Sequence, residues 1–166
     1  MTNLQEWLKK GENVNEAIAN CIQMNEDLTI NRFTDFTDNS DIVKTHILWS
    51  GGAVPCIILA AVLKNEFASM GHYTPEDTKN GAEYLLKKFE SNIPLKFRTQ
   101  KNIKYYIATD TLDSINEEIC NKIKQIVSRK GAVIEMFKSK ELAVDFMTGF
   151  VSTSFEKKNL PKKTGK

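Results

Sequence analysis

Between Ile47 and Leu63 the chain reads ILWSGGAVPCIILAAVL, and from Ala53 to Leu63 eleven residues pass without a charge. A segment this apolar must be covered on nearly every side or lie in lipid. It falls well short of the roughly 20 apolar residues a membrane-spanning helix needs, so it is read as the centre of a soluble core. Pro55 lacks an N–H and pre-sets φ, which suits the first turn of a helix. After Lys64, Asn65 and Glu66, Phe67 and Met70 keep the apolar period, and Gly71 is a helix stop. The pattern predicts one buried central helix over about 54–70.

The 166 residues fit a single compact domain over 1–156 with a basic flexible tail at 157–166. A chain of this length buries about two thirds of its surface and needs no staples. Cys21, Cys56 and Cys120 are far apart, with no CxxC pair and no Cys/His pair. That usage predicts reduced thiols in a cytoplasmic protein and no metal. The N-terminus carries Glu6, Lys9 and Lys10 and no apolar h-region, so no secretory signal is expected. Neither a membrane nor a cofactor is expected as a partner.

Charge divides the chain. Residues 1–92 hold 8 Lys/Arg against 13 Asp/Glu, and residues 93–166 hold 15 against 8, which leaves the second part at +7. The acidic first part and basic second part point to an anionic partner or to ordinary solvated faces ending in a lysine tail.

Taken in order, Thr2-x-x-Gln5 and Asn13-x-x-Glu16 read as capping boxes for two helices, the second running to about Asn25. Leu28–Phe33 alternates as a short strand, and Thr34–Ser40 is a loop. A segment with Ile42, Val43, His46, Ile47 and Trp49 is read as helix, its last part open to being a strand. Thr74-Pro75-Glu76-Asp77 starts a helix that ends near Asn92 and is weakened by Gly81. Leu95–Thr99 and Ile103–Ala108 alternate around Gln100-Lys101-Asn102, predicting a β-hairpin. Asp110 or Asp113 caps a helix stopped by Gly131, Ala132–Phe137 is a strand, and Ser139 caps a last helix through Val151.

The run FKSKELAVDFM resembles the strand-to-helix passage of ferredoxin-like domains, RNA-recognition modules among them. The resemblance is confined to that short run. The aromatic positions with which such modules stack bases do not follow in order, and no family is assigned.

Three sets of residues are candidates for chemistry. Ser50-Gly51-Gly52 ahead of the expected central helix is a candidate anion site, because glycines free backbone N–H groups and a helix N-terminus favours phosphate. It is similar to the phosphate loop of ATP-pyrophosphatases. Val54 and Pro55 stand where that family has an acid and a hydroxyl, and the plain alternative is a bend. The second set is Lys96, Arg98, Lys101 and Lys104 with Tyr106 or Tyr105, cations for phosphates and an aromatic for a base. The third is His46, His72 and Cys56, none with a ligand or partner residue at a telling spacing.

The expectation is therefore an α+β, predominantly helical protein, with an all-α bundle bearing a β-hairpin arm as the alternative. Its expected function is non-enzymatic binding of nucleic acid or another polyanion through the basic part, with self-association of the coat or nucleocapsid kind. A protein-interaction or regulatory module is the first alternative. A small enzyme binding a phosphorylated ligand at Ser50–Gly52 is the second.

Overall fold

The apolar centre is a pair of strands and not a helix. In the computed structural model, which describes residues 20–34, 46–111 and 113–153, Ile57–Leu63 is strand β4 and Phe67–Tyr73 is strand β5. They pair antiparallel, from Ile57 opposite Tyr73 to Leu63 opposite Phe67. The turn between them is Lys64-Asn65-Glu66, where Asn65 takes φ 66° and the Glu66 N–H bonds the Leu63 carbonyl. Asparagine tolerates this left-handed conformation, which is why LKNEF turns back. A strand covered on both faces has no alternation to betray it, so its apolar run imitates a buried helix.

Five strands make the larger sheet, in the order β2 (Asp27–Asn31), β5, β4, β6 (Lys104–Thr109) and β7 (Val133–Lys138). All neighbours are antiparallel except β6 and β7, which are parallel and joined through a helix. A second sheet holds four strands, in the order β1 (Asn20–Cys21), β3 (Ile47–Ser50), β8 (Leu142–Asp145) and β9 (Phe150–Ser152). Helices α1 (Pro75–Thr78), α2 (Ala82–Glu90), α3 (Leu95–Arg98) and α4 (Ser114–Arg129) complete the described elements.

The layers run helices, five-stranded sheet, four-stranded sheet. Leu59, Phe67, Tyr73, Tyr105 and Ile107 face Leu85 and Phe89 of α2 and Ile123 and Val127 of α4. Ile58, Ala60, Ala68, Met70 and Ala108 face Leu48 and Val144 of the smaller sheet and Phe146 just after β8. Each large apolar side chain so buried contributes about 1.5–3 kcal/mol.

The predominantly helical expectation is thus corrected: two sheets of nine strands dominate the described residues. Ser139–Val151, expected as helix, is β8, a turn and β9, with Gly149 at φ 75°. The second expected helix does not reach Asn25, because Asn20–Cys21 is β1. The last part of the 42–49 segment is strand β3. The hairpin at 95–108 is also corrected: Leu95–Arg98 is helical, and β6 pairs with β4 and β7. The helix after Thr74 starts at Pro75, but Gly81 at φ 97° divides it into α1 and α2. Asp113 caps α4 by accepting from the Asn116 N–H at 2.8 Å, and Gly131 at φ 83° follows its end. The first helix, most of the second, the loop through Ser40 and the tail from Lys157 lie outside the described residues.

Candidate polyanion site

Helix α3 is short, and what holds it is one side chain. Phe97 is buried, 5.4 Å from Phe67 ring to ring. Ile103, just before β6, is a second buried anchor. Between these anchors Thr99, Gln100, Lys101 and Asn102 turn at the surface, with Asn102 at φ 70°. Residues one apart on a helix are about 100° apart around its axis. With Phe97 pointing inward, Lys96 and Arg98 therefore leave α3 on opposite sides.

Arg98 and Lys101 line an open cavity of about 730 Å³ together with Glu90, Tyr105 and Lys130. A neighbouring hollow of about 290 Å³ shares Glu90, Arg98 and Lys130 and adds Lys87. The Glu90 carboxylate accepts from the Tyr105 hydroxyl at 2.6 Å and pairs with the Lys130 ammonium at 3.1 Å. Glu90 is thereby matched by Lys130, whereas Arg98 and Lys101 make no ion pair among the described residues. Burial, then the bond to Glu90 and its charge, push the Tyr105 phenol far above its ordinary range, with Arg98 opposing. At neutral pH Tyr105 stays protonated and donates its hydroxyl proton to Glu90. The end of α4 adds carbonyl dipoles equivalent to about half a negative charge, less than the side-chain excess of positive charge.

Lys96 turns the other way. Its ammonium lies 4.6 Å from the centre of the Phe33 ring and 5.0 Å from that of Phe97. Arg32 also lies over Phe33, at 4.6 Å, and reaches Glu66 at 3.5 Å.

The structure thus brings Arg98 and Lys101 together and adds Lys130, and sets Lys96 beside Phe33. Lys104 and Tyr106 do not join them. Ile103, Tyr105 and Ile107 face the helices, so Lys104 and Tyr106 belong to the opposite face of the sheet. Tyr106 is buried and stacks on Phe137, ring centres 6.2 Å apart. Nothing local in the sequence joins Phe33 or Lys130 to this stretch; only the fold does.

Ser50-Gly51-Gly52 sits at the other end of the sheets. A strand, β4, follows it, so the helix N-terminus on which its anion reading depended is absent. Ala53 donates its N–H to the Lys140 carbonyl and Val54 to that of Gly52. The Ser50 hydroxyl is buried, donates to the Ile22 carbonyl at 2.5 Å and meets His72 Nδ1 at 2.7 Å. A hydroxyl has one proton, and here it goes to Ile22. His72 therefore carries its proton on Nδ1 and donates it to Ser50. Burial holds the His72 pKa below its ordinary value, and Nε2 has no hydrogen-bond partner among the described residues. With Ser50 at 0% and His72 at 1% exposure, this pair joins the two sheets and is closed to solvent.

His46 packs edge-on against Phe146 at 5.4 Å, its pKa lowered by burial against the opposing charge of Asp145. Burial pushes the Cys56 thiol up, and that of Cys120 up to about 11, so neither is a thiolate nucleophile at neutral pH. Among the described residues no group of His, Cys, Asp and Glu side chains is placed to hold a metal ion. None of the described helices is long and apolar enough to cross a membrane.

No protein-family model matches the chain, and no curated protein is similar to it in sequence.

Proposed function

We propose that this protein is a non-enzymatic binder of nucleic acid or a similar polyanion, engaged through Lys96, Arg98 and Lys101 with Lys130 beside them. The observation that carries the reading is the pair of uncommitted cations, Arg98 and Lys101, on the rim of one cavity of about 730 Å³. Cations that neutralise phosphates release bound counterions, and binding then weakens steeply with salt. Arginine adds a planar fork of donors suited to phosphate. Fluorescence anisotropy with labelled single- and double-stranded oligonucleotides over a salt series tests this. Binding at low salt is expected, lost on joint change of Lys96, Arg98 and Lys101 to glutamate. It should survive the same charge change at Lys79, Lys122 and Lys138. No low-salt binding, or equal loss in both variants, overturns the reading.

A second reading, self-association or a protein partner, rests on β7. It is one of the two outer strands of the five-stranded sheet, and Val133 on it is 57% exposed. No strand among the described residues pairs with its outer edge, the kind of edge to which another strand adds. Size-exclusion chromatography with light scattering checks it. An oligomer that Val133→Lys dissociates is expected, and a monomer at all concentrations removes self-association.

A further inference from the structure

Resting on the polyanion reading, we propose that Phe33 is a stacking platform for an unpaired base, so that the ligand is single-stranded nucleic acid. Phe33 is 64% exposed, in a protein whose other phenylalanines at described positions are buried or half-buried. Its backbone is fixed. The Phe33 N–H bonds the Asn31 side chain at 2.8 Å, Thr34 N–H bonds the Asn31 carbonyl, and Arg32 N–H bonds the Glu66 carbonyl. The Asn31 N–H in turn bonds the Thr34 hydroxyl at 2.9 Å. A ring presented by so tied a turn loses little freedom when it takes a ligand.

The two cations beside the ring do not bar a base; they complete the site. An exposed cation–ring contact is worth about two- to fivefold in equilibrium terms. A base stacked on an aromatic side chain is worth about five- to a hundredfold. A base therefore displaces Lys96 or Arg32 from a ring face, and the released cation meets the adjoining phosphate. Lys96 bridges this platform to the cavity, because α3 carries Lys96 on the Phe33 side and Arg98 on the cavity side. A duplex keeps its bases stacked within and can use only the cations.

The test compares three labelled probes about twelve nucleotides long, a length within single-strand site sizes: oligothymidylate, an abasic strand of equal charge, and a duplex. The wild type is expected to prefer the base-bearing strand to the abasic one. Phe33→Ala should weaken oligothymidylate binding about tenfold, leave the abasic strand within about twofold and so erase the preference. Phe33→Trp should retain it. Equal wild-type affinity for the two strands, or a Phe33→Ala loss shared by both, overturns the stacking platform while the polyanion reading stands. Absence of binding to all three probes overturns both.

Discussion

On β4 and β5 the aromatic side chains, Phe67 and Tyr73, turn toward the helices beside Leu59 and Ala61, whereas the smaller sheet meets Ile58, Ala60, Val62, Ala68, Met70 and the imidazole of His72. The difference follows from what covers each face. Helices stand off a sheet and leave room that Phe89, Phe97 and Tyr105 fill. Two stacked sheets interlock at about 10 Å, and alanines let the backbones close. The helix face is held by bulk; the sheet face is held by fit, with the Ser50–His72 bond as a polar tie between the layers.

That contrast can be broken from either side. The largest loss is expected at Phe97→Ala, about 4 kcal/mol by urea denaturation, from a cavity in the helix layer. Because Phe97 anchors α3, oligonucleotide binding should fall with it. On the sheet face enlargement should do the harm: Ala68→Leu is expected to cost about 2 kcal/mol. An Ala68→Leu protein as stable as wild type would show that the sheets are not closely fitted.

Ser50→Ala should cost about 2 kcal/mol, because it leaves the His72 Nδ1–H and the Ile22 carbonyl without their partner. The same pair predicts a pH dependence. Burial lowers the folded-state pKa of His72 below its unfolded value of about 6.5. Below that value the unfolded chain binds the proton more readily, so stability is full above pH ~6.5 and falls as pH drops toward the folded pKa. Denaturation midpoints measured from about pH 8 to pH 5 should decline in wild type and decline less in His72→Gln. Identical slopes would mean that His72 is not the group responsible. The smallest effect is expected at Tyr105→Phe, about 1 kcal/mol, since Glu90 keeps Lys130.

Where a strand has one covered face, or a helix has a clear cap, the sequence was legible. Asp27–Asn31, the Asp113 cap, the stop at Gly131 and the strand after it all fall near the expected places, and the strands flanking that helix are parallel. β4 and β5 were not legible as strands because both faces are buried, which leaves no alternation. β8 and β9 imitated a helix because Leu142, Ala143, Phe146 and Phe150 fall at helical spacing; Gly149 was the overlooked sign of a turn. At the candidate site, Lys96, Arg98 and Lys101 lie on a helix and turn instead of the expected hairpin. Lys104 and Tyr106 were candidates for the same surface, and the register of β6, which the sequence leaves open, carries them to the opposite face of the sheet. Phe33 and Lys130 come from distant parts of the chain, and only tertiary packing sets them beside α3.

Whether a polyanion binds at α3 and the turn after it is tested most directly by an amide chemical-shift titration of the labelled protein with a short single-stranded oligonucleotide. Shifts gathered at Phe33, along Lys96–Asn102 and at Lys130–Ala132 are the predicted result. Shifts confined to Ser50–Ala53 and Ser139–Leu142 at the far end of the sheets, or none at low salt, would contradict it.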